Sequence, residues 1–285
     1  MKNFLYIIFF VAFNCFSSKL FSQQQSNILL PENVQMEILL DSTTTASFMN
    51  NVYMDIWERI WIKSNSALAC IDFDSDSDSV QLNYFTLEGQ PYLNDICWLN
   101  NGEMIIANDS ALLLLDDAGY KEIYYLPYPN MKIAPADTNS LYLYAKSPIR
   151  KEYDISLLNL ERKITRLFSL DEEITDIAGN GNITIVALKK VLLLFSKNVE
   201  PTVFYHTDSE IRSIAITDFG GIFIATQKGV IYFENMERAY SFCNVGAKKL
   251  WNINNKLYIL FDDGKFAVIY PINQFKNLTQ TEFLK

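Results

Sequence analysis

An all-β, six-bladed β-propeller with four-stranded antiparallel blades is the fold this sequence predicts, on three observations. A plan of strand, turn, strand, turn, strand recurs along the chain, clearest in IRSIAITDFGGIFIATQKGVIYFEN (residues 211–235) and again in residues 92–119. Second strands of these units start near Ile60, Met104, Leu141, Ile183, Ile222 and Leu257, spaced by 35 to 44 residues, the period of propeller blades. Between them run short segments rich in Ile, Leu, Val, Tyr and Phe, punctuated by Asn, Asp and Gly, which read as strands and turns. Six starts give six blades.

Taken in order, Lys2 precedes an apolar run from Phe4 to Phe13, and Ser17, Ser18 and Ser22 follow. That is the layout of a secretory signal peptide, and the run is too short to span a bilayer. Cleavage is expected after Ser22, leaving residues 23–285 as one propeller domain exported to the periplasm, the cell surface or the medium. Asn14 stands before Cys15 where lipoprotein processing asks for a small residue, which argues against lipidation.

Residues 33 to 42 alternate like a strand but precede the first complete unit, so they are expected to supply the outer strand of the last blade and close the ring. The first unit follows with WERIWI at Trp57–Ile62. Turns are expected at Asn100–Gly102, Asn108–Ser110, Asp116–Gly119, Asp218–Gly221, Gln227–Gly229 and Asp262–Gly264, where Asn, Asp and Gly supply hairpin chemistry. No segment after residue 22 carries a helical period. With 49% hydrophobic residues and only 10 Gly and 8 Pro, the chain can fill a core without a long linker, which fits a single domain. Trp57, Trp61, Trp98 and Trp251 are expected to fill the gaps between blades.

The unit at 211–235 resembles the two-component-regulator propeller repeat: Asp218 and Gly220 match its Asp-x-x-Gly turn, Thr226 the end of its apolar strand, and Gly229 the start of its third strand. Asp55 stands at the turn position of the first unit. The resemblance implies a periplasmic or surface sensor or scaffold, here as a stand-alone propeller, because 285 residues leave no room for a second propeller, a membrane helix and a kinase.

Several function classes are disfavoured. Loss of the leader removes Lys2 and Lys19 and no acid, so the formal charge of −9 becomes −11, which argues against nucleic acid. One histidine, His206, and the absence of Gly-rich phosphate loops, HExxH or paired-cysteine spacings argue against the common catalytic signatures, and neither a cofactor nor a metal is assigned. The mature cysteines Cys70, Cys97 and Cys243 lie in apolar stretches at unrelated spacings and read as small buried hydrophobes. Asp72, Asp74, Asp76 and Asp78 alternate like the start of a calcium loop but lack its glycine and closing glutamate, so a solvated hairpin tip is expected. GNGN at Gly179–Asn182 reads as a turn.

Two sets of residues are candidates for binding. The polar position of each innermost strand falls at Asn51, Asp95, Lys132, Asp176, Ser213 and Lys249, which in a ring would face a central channel. The second set comes from topology, because connections between blades and those between second and third strands emerge at one end of each blade. That end gathers Glu88, Tyr92, Asp109, Arg150, Asp171, Glu172, Glu173, His206, Asp208 and Glu210. The expected function is non-enzymatic binding or scaffolding of a protein or small-molecule partner at this loop-rich end. The alternative is a propeller hydrolase or lyase using Asp95 and Asp176 with a channel metal.

Overall fold

The computed structural model describes residues 30, 34–40, 51–64, 67–73, 80–86, 92–116, 119–161, 163–179, 183–195, 200–235 and 238–277. The expected leader with Cys15, the acids Asp74, Asp76, Asp78 and Glu88, and residues 180–182 of the GNGN turn lie outside the described residues, as does the side chain of Asp72.

Strand β1 (Gln35–Leu40) is followed by the first sheet, β2 (Val52–Met54), β3 (Ile60–Lys63), β4 (Ala67–Phe73) and β5 (Val80–Thr86). The second holds β6 (Leu93–Trp98), β7 (Met104–Asn108), β8 (Ala111–Asp116) and β9 (Gly119–Tyr125). The third holds β10 (Lys132–Pro135), β11 (Ser140–Lys146), β12 (Tyr153–Asn159) and β13 (Lys163–Leu170). The fourth comprises β14 (Ile174–Gly179), β15 (Thr184–Leu188), β16 (Val191–Phe195) and β17 (Thr202–His206). The fifth comprises β18 (Ile211–Ile216), β19 (Ile222–Thr226), β20 (Val230–Asn235) and β21 (Arg238–Cys243). The sixth contains β22 (Ala247–Ile253), β23 (Lys256–Phe261) and β24 (Phe266–Tyr270). Each is a four-stranded antiparallel meander, the blade of an all-β six-bladed propeller.

The sixth sheet takes its fourth strand from β1, which pairs antiparallel with β24 from Gln35 opposite Tyr270 to Leu40 opposite Phe266. The expected second-strand starts fall within one residue of β3, β7, β11, β15, β19 and β23. These strands are apolar almost throughout because both of their faces are covered: β7, β15 and β19 are buried at every residue. Outer strands are polar for the opposite reason, as in β13, whose first four residues are exposed, so that charge guards an open sheet edge.

Two compact units make up the chain, residues Asn50–Asn182, and residues Met1–Met49 with Ile183–Lys285. In the first, Tyr53, Trp61, Leu68, Ile96, Trp98 and Leu113 pack between sheets, with Trp61 5.6 Å from Trp98. In the second, Phe223, Tyr232, Phe242 and Phe275 form an aromatic knot, Phe275 sitting 5.3–5.4 Å from the other three rings. Phe275 belongs to a 3-10 helix, Ile272–Asn277, which the sequence pattern did not announce.

The second-to-third-strand turn repeats one hydrogen bond: a polar side chain accepts the N–H three residues on, Ser64 from Ala67 (3.1 Å), Asn108 from Ala111 (2.6 Å) and Thr226 from Gly229 (3.1 Å). Thr226 and Gly229, which carried part of the repeat resemblance, are therefore turn-building residues. A Cβ on Gly229 would lie 2.0 Å from the Cys243 carbonyl oxygen. Asp55 is fully buried and accepts from Trp57 N, Arg59 N, Arg59 Nε and Trp61 Nε1 at 2.6–3.0 Å.

One packing expectation is corrected. Trp57 is not a core residue: it lies in the turn ahead of β3, 54% exposed, with the Arg59 guanidinium 4.8 Å from its ring and the ring edge against Gly102 in the β6–β7 turn of the next sheet. Cys70, Cys97 and Cys243 are free and buried.

Candidate functional site

The inner-strand positions are set by a repeated irregularity. In three sheets the pairing of first and second strands slips just before the candidate residue, between Leu93 and Asp95, Ile211 and Ser213, and Ala247 and Lys249. A bulge re-aims the side chain that follows it, so three equivalent residues inherit one orientation. What they do with it is structural in two cases. Asp95 Oδ1 accepts from the Tyr53 hydroxyl (3.1 Å) and Ile96 N (3.0 Å), and Oδ2 accepts from Ile133 N (3.0 Å) on the next inner strand. Ser213 repeats the last contact, its hydroxyl accepting from Leu250 N at 3.2 Å, and it is only 1% exposed.

Around Asp95 the electrostatics follow from burial. Burial, then the Asp95 charge and hydrogen bond, hold the Tyr53 phenol far above its ordinary range. Burial lowers the Lys63 ammonium, with Asp95 opposing, and Lys63 Nζ donates to the Leu93 carbonyl at 2.6 Å. Tyr144 is also kept protonated, by burial first and then by the charges of Asp176 and Asp95. Of the remaining candidates, Asn51 stands one residue ahead of β2 and not within it; Asn51 and Asp176 are half-buried and Lys132 is exposed in the same unit, while Lys249 is half-buried in the other.

The third sheet carries the larger described cavity, of about 330 Å³. Its walls come from the β9–β10 connection (Tyr128, Pro129, Asn130), the β11–β12 turn (Pro148), the β13–β14 connection (Glu173) and the adjoining ends of β10, β11 and β12. These are the two kinds of connection that the topology gathers at one end of a blade. Strand register explains the lining: Lys132 lies opposite Tyr144, and Lys146 opposite Tyr153, so alternation in β11 puts Tyr144, Lys146 and both partners on one face. The Lys146 ammonium is 5.7 Å from the Tyr153 ring centroid.

Asp154 uses the other face of the same strand. It is 4% exposed, accepts from the Tyr128 hydroxyl (2.9 Å) and Arg166 (3.1 Å), and is bonded to Arg150 and Ser169. Burial pushes its carboxyl up, but the bonds from Ser169, Tyr128 and Arg150 and the Arg166 charge outweigh this and leave it below the usual range. Burial together with Asp154 pushes Tyr128 up to about 12. Sequence reasoning named Arg150 and Glu173 at this end but missed Tyr128, Tyr144, Lys146, Tyr153 and Asp154. The alternation in SLYLYAK carried the signal for two of them.

A second cavity, of about 240 Å³, lies in the fifth sheet's half of the other unit and is built from the same kinds of connection: Thr207–Ser209, the Thr226–Gly229 turn and Cys243–Asn244. Asp208 lines it and pairs with Lys228 at 2.6 Å, whose hydrogen bond and charge lower the Asp208 carboxyl. His206, at the end of β17, and Glu210 are exposed beside it, and the Glu210 carbonyl accepts from Gln227 N at 3.1 Å. In the first-described unit Tyr92 is 62% exposed and Asp109 accepts from Asn94 Nδ2 at 2.9 Å. Arg150, Asp171 and Glu172 are exposed near the larger cavity. Among the described residues no three His, Cys, Asp or Glu side chains converge on a point that could hold a metal ion, and no helix is long and apolar enough to cross a membrane.

Neither a protein family nor any curated protein matches the sequence. Solved structures do match in fold. Virginiamycin B lyase from Staphylococcus aureus aligns over 83% of this chain and 98% of its own, with a TM-score of 0.57 and 10% identity. A gluconolactonase from Xanthomonas campestris aligns over 87% and 98%, with a TM-score of 0.57 and 8% identity. Regucalcin, a calcium-binding protein from Agrobacterium tumefaciens, aligns over 76% and 88%, with a TM-score of 0.58 and 14% identity. At these identities the likeness establishes the class, a β-propeller, and that fold hosts unrelated activities.

Proposed function

We propose that this chain is an exported, non-enzymatic binding propeller of the cell envelope or medium, which meets a small-molecule or protein partner at the loop-built end of its blades. One observation carries the reading: the larger described cavity is formed by those loops and lined by two lysines and three tyrosines beside the single carboxylate of Glu173, a polar and aromatic pocket of the kind that orients a ligand. Asp95 supports it from the other side, because both of its oxygens are engaged by Tyr53, Ile96 and Ile133, which leaves Asp176 as the acid that a hydrolase or lyase would have to use. Export is supported by the leader-like residues 1–22, and a sensor or scaffold role by the repeat resemblance at 211–235.

The test is affinity capture with tagged mature protein from its native envelope, alongside metal analysis of the purified chain. A stoichiometric partner with no bound metal, and a melting temperature indifferent to chelator, is expected. Stoichiometric metal whose removal lowers the melting temperature would count against this reading and favour the hydrolase or lyase alternative.

A further inference from the structure

We infer that the cavity of the third sheet binds a small organic anion carrying a flat or apolar ring beside its carboxylate, phosphate or sulfate group, an inference that rests on the binding reading above.

Charge is the first argument. The chain is acidic overall, yet this cavity draws two ammonium groups, Lys132 and Lys146, and one carboxylate, Glu173, to its lining. Neither lysine forms an ion pair among the described residues. Asp154 does not pair with them, because it lies on the opposite face of β12 from Tyr153 and is held by Arg150 and Arg166, while the charges of Asp176 and Asp95 act on Tyr144 in the same lining. Two cations gathered at one concave site attract an anion more strongly than either would alone.

Shape is the second argument. Each lysine stands across the strand pair from a tyrosine, Lys132 from Tyr144 and Lys146 from Tyr153, and the Lys146 ammonium is 5.7 Å from the Tyr153 ring centroid. A ligand oxyanion placed between the ammonium groups would set the rest of its body against those phenols and against Pro148. Tyr144 stays protonated, so its hydroxyl adds a donor and no competing negative charge. A volume of about 330 Å³ suits a single small molecule.

The experiment is isothermal titration of the full mature chain with three probes: phenyl phosphate, inorganic phosphate and benzyl alcohol. Phenyl phosphate should bind one per chain, inorganic phosphate more weakly, and benzyl alcohol not measurably. Lys132→Gln and Lys146→Gln should each weaken phenyl phosphate by about tenfold, as expected for loss of one charge-assisted contact. Both side chains are exposed, so these variants should keep the parental melting temperature. Tyr153→Leu should weaken phenyl phosphate and leave inorganic phosphate unchanged. Equal binding of benzyl alcohol, or phenyl phosphate binding indifferent to both lysine variants, overturns the inference. Capture of a protein partner by a chain that binds none of the three probes overturns the anion site and leaves the binding reading standing.

Discussion

Replacing Asp95 by Ala separates a structural acid from a catalytic one. The substitution takes the acceptor from two buried donors on different inner strands, the Tyr53 hydroxyl at 3.1 Å and Ile133 N–H at 3.0 Å, where Tyr53 is 8% and Ile133 4% exposed. Each buried donor that loses this acceptor costs about 1–3 kcal/mol, so the variant should lose roughly 2–6 kcal/mol. Asp95→Asn keeps one acceptor oxygen but turns an NH2 toward a donor, and should lose about half as much. Urea denaturation followed by tryptophan fluorescence reads this directly, because Trp61 and Trp98 share a packed cluster with Tyr53 and Ile96. A loss below about 0.5 kcal/mol for Asp95→Ala would be the scale of an ordinary surface substitution and would refute the structural role.

Other outcomes follow from the same contacts. Phe275→Ala removes the fully buried ring that touches Phe223, Tyr232 and Phe242, and should cost about 3–5 kcal/mol in the same denaturation assay, although it lies in the last described element. Gly229→Ala drives a Cβ against the Cys243 carbonyl, a backbone atom that cannot rotate away, and should lower stability by about 2 kcal/mol or more in thermal melts. Asp154 has a folded-state pKa below its unfolded value, so its contribution is present above that unfolded value and disappears as pH falls through the folded one. Wild type should therefore lose stability on acidification below about pH 4 more steeply than Asp154→Asn, which already lacks the contribution, and identical acid profiles would contradict the assignment.

Much of the architecture was legible because it is local. Second strands covered on both faces must be apolar along their whole length, so their starts could be read to within a residue, and the Asn108 and Thr226 that end two of them mark turns with a definite hydrogen bond. Four of the six inner-strand candidates, Asp95, Asp176, Ser213 and Lys249, fall at the third residue of their strands, although the bulge ahead of three of them has no sequence signal. What those side chains touch was not readable. Asp95 meets Ile133 38 residues away and Ser213 meets Leu250 37 residues away, contacts that depend on how successive sheets pack. Trp57 was misplaced because WERIWI looks uniform, whereas Asp55 folds its first residues into a turn and only Ile60 onward joins the sheet. The larger cavity escaped notice because Tyr128 and Tyr153 come together through the registers of β11 and β12 and the path of a connecting loop, none of which has a sequence period.

Binding at the loop-built end is tested most directly by comparing capture from native envelope, or ligand retention, for three forms of the tagged chain. These are wild type, Lys132→Gln/Lys146→Gln at the loop-built end, and Asn101→Ala/Glu103→Ala in the first-to-second-strand turn at the other end of a blade. Partner or ligand should be retained by wild type and by the Asn101/Glu103 form and lost from the lysine form. Equal retention by all three forms, or metal-dependent turnover of a substrate, would contradict the account.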